Sequence, residues 1–442
     1  MHLLGQRENR VWAGCEDSLT GGGVLISLSA PMHIRPRLAL AFFAMTMRAL
    51  IAAEPPAEWV EAATGHRVVR LSREPGSASL YFHQNGYSAD GKKLVMSTPG
   101  GISTVNLETR EIDRVVEGRV GILVTGHKTG RIYFVRDGAI FSADMETHAT
   151  EMVAKIPAGV GRGGNITINA DETEIVGIGG DGEGSTVPRE APPGRGGGRL
   201  ETRWSSGRPM MIYTVKIATG EVKTIHREND WTNHLQCSPT DPGLVMFCHE
   251  GPWHFVDRVW TIRDDGSALW LMHRRTMEME IAGHEFFSGD GKTVWYDLQT
   301  PKSGVFWVAG VELESGARTW YHLERNEWSV HYNVSPDGKL FAGDGGGPSS
   351  VANHTPDGKE LSPPGNGQWI YLFHPVLTSE QAQGGGLIRA GYFKSERLVD
   401  LSKHNYGFEP NVTFTPDGKW IVFRSNMHGA VHTYAVEVAK AE

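Results

Sequence analysis

The 442-residue sequence predicts an all-β fold, a seven-bladed β-propeller, and three observations carry that expectation. A turn signal recurs: Ser238-Pro239-Thr240-Asp241, Ser288-Gly289-Asp290-Gly291, Ser335-Pro336-Asp337-Gly338 and Thr415-Pro416-Asp417-Gly418 each close one strand and open another. Ser and Asp side chains bond their own turn backbone, and Gly supplies positive φ. A residue four positions before each turn also recurs: Gln84, Asn165, His234, His284, His331 and Asn411, with Gly121 a weaker seventh copy. The copies stand 37 to 80 residues apart, and a four-stranded unit repeated at about 40 to 50 residues reads as a propeller blade. Third, the chain holds 55 glycines and almost no long helical periodicity, while turn clusters punctuate its whole length.

In chain order, residues 1–53 read as a leader outside the fold. Residues 32–53 have the layout of a secretory signal peptide: basic His33, Arg35 and Arg37, the apolar run Leu38 to Met47, then Ala52-Ala53 before Glu54. That predicts export to the periplasm or beyond, with Met32 an alternative start; if the leader is not a signal peptide, the chain would be cytoplasmic. The apolar run is well short of the roughly 20 residues needed to span a bilayer.

Residues 54–442 read as one domain, a closed ring. The strand His66 to Leu71 is expected to complete the last blade, so that no edge stays open. Gly177 to Gly198, rich in Gly, Pro and Arg, reads as a mobile loop near one mouth of the ring. Gly343 to Ser402 is expected to supply the later strands of the sixth blade and a loop over the funnel. Cys15 falls in the leader; Cys237 and Cys248, on two arms of one hairpin, are open to a disulfide or to a reduced core pair. The formal charge of −8 without a basic run gives no footprint for nucleic acid or an anionic membrane.

The stretch Trp231 to Trp260 organises the chemistry. It is a hairpin that delivers Cys248-His249-Glu250-Gly251-Pro252-Trp253-His254 into a loop, where rigid scaffolds carry their functional groups. If the recurring position lies on the innermost strand, its residues line the axis of the ring. Gln84, Asn165 and Asn411 read as the polar lining of a wet channel; His234, His284 and His331 read as metal ligands or a general base. Asp257 and Arg258 read as an ion pair that fixes the loop, and His83, His127 and His354 as surface groups.

The run CSPTDPGLVMFCHEGPWHFVDRVWTIRDDGS from Cys237, GHEFFSGDG from Gly283 and LFAGDGG after His331 resemble the oligogalacturonate lyase family, seven-bladed propellers acting on short pectin fragments. The SPDGK turn alone is generic, shared with propellers of the TolB type. The resemblance implies β-elimination from a 4-linked galacturonate: a base takes the C5 proton, the C4 oxygen leaves, and a cation neutralises the C6 carboxylate as charge develops. His234 matches the base, Arg208 the catalytic arginine with Arg203 as its neighbour in reserve. His331, with Asp344, would sit near metal or substrate, as would His249 and Glu250. Trp253 would stack on sugar, and Glu250 would orient His234 or an arginine.

The family's metal is held by a histidine matching His284 and a Gln-x-x-His-x-His run. Here that run reads Tyr406-Gly407-Phe408-Glu409-Pro410-Asn411. The expected set becomes His284, Glu409, Asn411 and His404, oxygen-rich enough for Mn, Mg or Ca. The expected partner is an oligogalacturonate or related oligouronide. Rival readings are a lyase for another uronide linkage and a non-catalytic propeller that binds carbohydrate or protein. No Gly-x-Ser-x-Gly elbow supports a hydrolase.

Overall fold

The computed structural model describes residues 54–158, 160, 165–190, 198–365, 367–379 and 386–441. The leader 1–53, with the expected signal peptide at 32–53, lies outside the described residues. Ala57–Glu442 form one compact unit.

The strands group into seven antiparallel units, six of four strands and a seventh of five that includes Glu58–Val60. The first runs from Ala78–Ser79 to Ile112–Glu117, the second from Gly121–Thr125 to Thr150–Lys155, and the third from Ile166–Ile168 to Val222–Glu228. The fourth runs from Trp231–Cys237 to Trp270–Leu271 and the fifth from Ile281–Phe287 to Arg318–Leu323. The sixth takes its third and fourth strands, Trp369–Leu377 and Ile388–Asp400, from the 343–402 insertion, as the sequence leads one to expect. Its last strand runs on to pair in parallel with the fifth blade's outer strand, Arg318 opposite Ile388, so each covers the other's edge.

Closure is by the N-terminal strand. His66–Arg70 pairs antiparallel with His432–Lys440, Val68 opposite Val436, and joins Thr413–Phe414 and Trp420–Ser425 in the seventh blade. The repeated turns explain their own sequence. In the sixth blade Ser335 Oγ donates to Asp337 Oδ1 at 2.7 Å and accepts the Leu340 N–H at 2.9 Å, and Gly338 takes φ +72°. Ser88/Asp90, Ser288/Asp290 and Thr415/Asp417 repeat the bond.

Apolar alternation packs blade on blade. Met246 and Val259 of the fourth blade meet Val294, Tyr296 and Leu298 of the fifth, all without exposure. Each such side chain contributes about 1.5–3 kcal/mol by leaving water. Cys237 and Cys248 are both free. Their register explains it: Cys237 lies opposite Val245 and Cys248 opposite Asn233.

The 177–198 segment differs from expectation in its described part. Val187 N–H donates to Gly207 O and Arg189 N–H to Ser205 O, both across a seven-residue helix, Arg199–Ser205, that periodicity did not reveal. The Trp204 ring packs so closely on Gly251 that a Cβ there would meet it at 2.7 Å. The helix is thereby docked on the loop that follows Glu250.

Candidate active site in the central funnel

The recurring position owes its geometry to β-bulges. In the fourth blade the pairing register shifts between Asn233 and Gln236, and in the fifth between Gly283 and Phe286. The extra residue carries a left-handed backbone: His234 at φ +49°, His284 at +39°, with Asn411 of the seventh blade at +55°. A bulge re-aims a side chain out of the alternating pattern. Holding a non-glycine residue there costs of order 1–3 kcal/mol, which the surrounding packing must offset.

These residues converge. The ring centroids of His234 and His284 lie 6.3 Å apart and those of His284 and His331 4.8 Å. The first blade adds three rings that the sequence reading overlooked. Tyr81 stands 6.0 Å from His234 and donates or accepts at His331 Nε2 over 3.1 Å; Phe82 lies 4.7 Å from His331. His83, expected at the surface, is 6.1 Å from His234. The cue was the aromatic run Tyr81-Phe82-His83 directly before Gln84. Gln84 itself is structural, accepting Tyr81 N–H and donating to Leu123 O, and Asn165 donates to Asn233 Oδ1.

Each histidine rests on a carboxylate. His284 Nδ1 meets Asp297 Oδ1 at 2.8 Å, and His331 Nδ1 meets Asp344 Oδ2 at 2.8 Å. His234 Nδ1 faces Glu285 Oε1 at 3.5 Å. Arg258 is not the partner of Asp257, contrary to the sequence reading. Asp257 pairs with Arg275, while Arg258, 2% exposed, donates to Glu250 Oε1 at 3.0 Å and Glu285 Oε2 at 3.1 Å. Position explains the switch: Arg258 adjoins the strand Val259–Arg263, and its carbonyl accepts His249 N–H, which turns the side chain inward between the two glutamates.

The electrostatics separate the imidazoles. Burial, helped by the neighbouring Arg258 cation, pushes His234 down to about 3, so it is neutral. Burial likewise pushes His83 down to about 3. Burial also opposes a charged His284, but the Asp297 carboxylate outweighs it and raises that imidazole. Glu250 is held down to about 2, burial being overcome by Arg258. A neutral imidazole with one nitrogen turned to a carboxylate leaves Nε2 to accept a proton.

The remaining expected residues fall in different places. Glu250 Oε2 lies 3.9 Å from His234 Nε2, so Glu250 joins both His234 and Arg258. Trp253 Nε1 donates to Glu250 Oε1 at 2.6 Å, and the side chain stays 36% exposed, open for stacking. Arg203 lies in the last turn of the Arg199–Ser205 helix with its guanidinium 3.9 Å over the Trp231 ring. Burial and the nearby Arg199 and Arg208 cations lower its proton affinity while Glu250 opposes them; Arg208 itself is exposed, just before the strand Met210–Lys216. His249, expected beside substrate, is instead held 2.9 Å from Glu228 Oε2 and stacked by Trp260. On a strand that alternates its faces, His249 and Glu250 point opposite ways.

Two of the expected metal ligands, His404 and Asn411, are engaged elsewhere. His404 commits both ring nitrogens, Nδ1 to Ser425 Oγ at 2.9 Å and Nε2 to Phe408 O at 2.6 Å. Asn411 Oδ1 accepts Phe82 N–H at 3.0 Å and its amide donates to Glu409 O. Glu409 Oε2 lies 3.7 Å from His331 Nε2. Among the described residues the trios of His, Cys, Asp or Glu donors lying within 4.8 Å of one another are His234–Cys248–Glu285 and Glu228–Asp230–His249, and neither contains an expected ligand. Tyr406, in place of the family's glutamine, gives its hydroxyl to Asp344 O.

The fold is a propeller whose central residues set a neutral histidine beside a buried Glu–Arg–Glu cluster, an arrangement suited to proton abstraction. The chain belongs to the oligogalacturonate lyase family, whose model matches residues 57–441. It is 25% identical over 403 residues to the oligogalacturonide lyase of Pectobacterium atrosepticum, covering 86% of this chain and 95% of that one. To the oligogalacturonate lyase of Dickeya dadantii it is 26% identical over 405 residues, with the same coverage. Among solved structures, an oligogalacturonate lyase in complex with manganese matches with TM-score 0.67 at 24% identity, over 87% of this chain and 96% of the other. An oligogalacturonate lyase from Vibrio parahaemolyticus matches with TM-score 0.68 at 21% identity, over the same shares.

Proposed function

We propose that this protein cleaves oligogalacturonides by β-elimination, with His234 as the base. The observation that carries this reading is the His234 imidazole, neutral on its bulge and turned by Nδ1 toward Glu285 Oε1. Its Nε2 takes the C5 proton of the sugar whose C4 carries the glycosidic oxygen. The electron pair forms the C4–C5 double bond, the C4–O bond breaks, and the departing oxygen takes up a proton to leave a new hydroxyl end. As C5 loses its proton, charge moves onto the C6 carboxylate, and a cation held there lowers the barrier.

Arg203, close enough to Glu250 to feel its charge, supplies positive charge, with Arg208 following it between that helix and the next strand, and Trp253 offers its face to a sugar ring. The manganese of the similar structure belongs to that protein; here His404 and Asn411 are engaged elsewhere, and no step above is routed through a metal.

The test follows the ultraviolet absorbance of the unsaturated uronate on adding oligogalacturonates. Wild type generates it and His234→Ala, with an unchanged circular dichroism spectrum, does not. Product formation by the alanine variant at the wild-type rate would overturn the assignment.

A further inference from the structure

Arg424 is a buried cation with no carboxylate in direct contact among the described residues, Glu409 and Asp344 acting on it only from a distance. It lies in the strand Trp420–Ser425 of the seventh blade, 8% exposed. Its Nε donates to Glu409 O at 3.0 Å and its Nη1 to Ser79 O at 3.2 Å, and the guanidinium sits 4.7 Å over the Phe408 ring. Among the described residues no carboxylate oxygen comes within 4.0 Å of it, and three of its five N–H donors have no partner. Arg258, equally buried, shows the contrast, with a glutamate on either side.

Such an arrangement is costly unless something completes it. Burying a charge is unfavourable by several kcal/mol when only carbonyl dipoles face it. Burial indeed lowers the proton affinity of Arg424, with Glu409 and Tyr81 acting only at longer range in the other direction. Next to it, Ser79 Oγ is buried without any hydrogen-bond partner. A built cation with spare donors beside an unpaired hydroxyl fits one ligand class, a carboxylate.

The placement ties that carboxylate to the funnel. Arg424 N–H donates to Pro410 O, which puts Arg424 opposite the residue that precedes Asn411. Asp297 stands in the same relation to His284, and Cys248 to His234, each opposite the residue before the bulge. Those two positions lie directly beneath the imidazoles of the site. Arg424 occupies their counterpart beneath Asn411, with Glu409 and Tyr81 reaching from it to His331.

We infer that Arg424 is a specificity-determining residue that binds a uronate carboxylate of the substrate on the seventh-blade side of the funnel. This rests on the uronide-cleaving reading of the same site. A planar guanidinium with free donors on one edge takes a carboxylate in a charge-assisted, two-point contact. It would discriminate the free acid from its methyl ester, which carries no charge.

The experiment measures binding of trigalacturonate and of fully methyl-esterified trigalacturonate by titration calorimetry in His234→Ala protein, so that turnover does not interfere. Arg424→Gln is expected to weaken the free acid at least tenfold and to leave the ester within twofold, and its melting temperature is expected to hold or rise. Equal affinity of the Gln and Arg forms for the acid overturns the inference. So does a lower melting temperature with acid and ester weakened alike, the mark of a purely structural role. Should the Gln variant fail to fold, Arg424→Lys decides: a weaker preference for acid over ester supports the inference, and unchanged acid affinity, or acid and ester weakened alike, overturns it. Wild type that makes no unsaturated product while its Arg424-dependent binding persists would sink the lyase reading alone.

Discussion

His234 Nδ1 and Glu285 Oε1 lie 3.5 Å apart, and neither of these buried atoms has a hydrogen-bond partner among the described residues. Cys248 is the third member of this group, all three offering ligand atoms within 4.8 Å of one another. An orphaned buried donor or acceptor costs about 1–3 kcal/mol, and a small approach of the two would relieve both. Closing that gap would favour the tautomer with hydrogen on Nδ1, the form in which Nε2 is a base.

Glu285→Gln keeps the shape and removes the charge. Arg258 retains Glu250, so the fold should stand. Because a glutamine amide can offer a hydrogen to Nδ1 and favour the wrong tautomer, kcat is expected to fall about 10 to 100-fold, within the range of general-base contributions. KM should stay within a factor of about three, since Glu285 does not reach the surface. A glutamine variant with unchanged kcat would end the orienting role.

Stability should respond to acid through His83. Burial, with His234 adding to it, pushes His83 down to about 3, whereas in the unfolded chain an imidazole titrates near ~6.5. Between those values the unfolded state binds the extra proton. The contribution is therefore fully present above ~6.5 and is lost as pH falls toward about 3. His83→Phe removes one such group. Its melting temperature should fall less steeply than that of wild type between pH ~6.5 and ~4; parallel curves would show that His83 does not titrate as its burial implies.

Chelation separates this chain from the metal set its resemblance implies. His404 bonds Ser425 and Phe408 within its own loop, and Asn411 bonds Phe82 and Glu409. Turnover after exhaustive dialysis against a chelator, followed by added manganese, is expected to stay within about twofold of the untreated enzyme. His404→Ala should lower the melting temperature, because it removes two buried hydrogen bonds of about 1 kcal/mol each, yet leave KM unchanged. A chelated enzyme that is inactive until manganese is restored would show that the loop rearranges into a metal site.

Some of this protein is written along the chain. The Ser-x-Asp-Gly turns, the alternating strands and the spacing of the key position determined a seven-bladed ring. His66 to Leu71 announced its closure, because local turn chemistry and period-2 patterning depend only on neighbouring residues. The convergence of His234, His284 and His331 was legible for the same reason: equivalent positions in a repeat fall at equivalent heights around one axis.

The rest was decided by contacts between distant segments. Arg258 stands next to Asp257 in sequence but between Glu250 and Glu285 in space. His83 looked like a surface group until the ring closed it against His234. The Arg199–Ser205 helix, hidden in a Gly-rich stretch, is fixed by Trp204 on Gly251 rather than by its own periodicity. Whether His404 and Asn411 face a metal or their own loop depends on which partners the fold brings within about 3 Å. Burial and pairing of that kind arise only when the seven blades have packed, and they set which imidazole is neutral and which buried arginine has no carboxylate in direct contact.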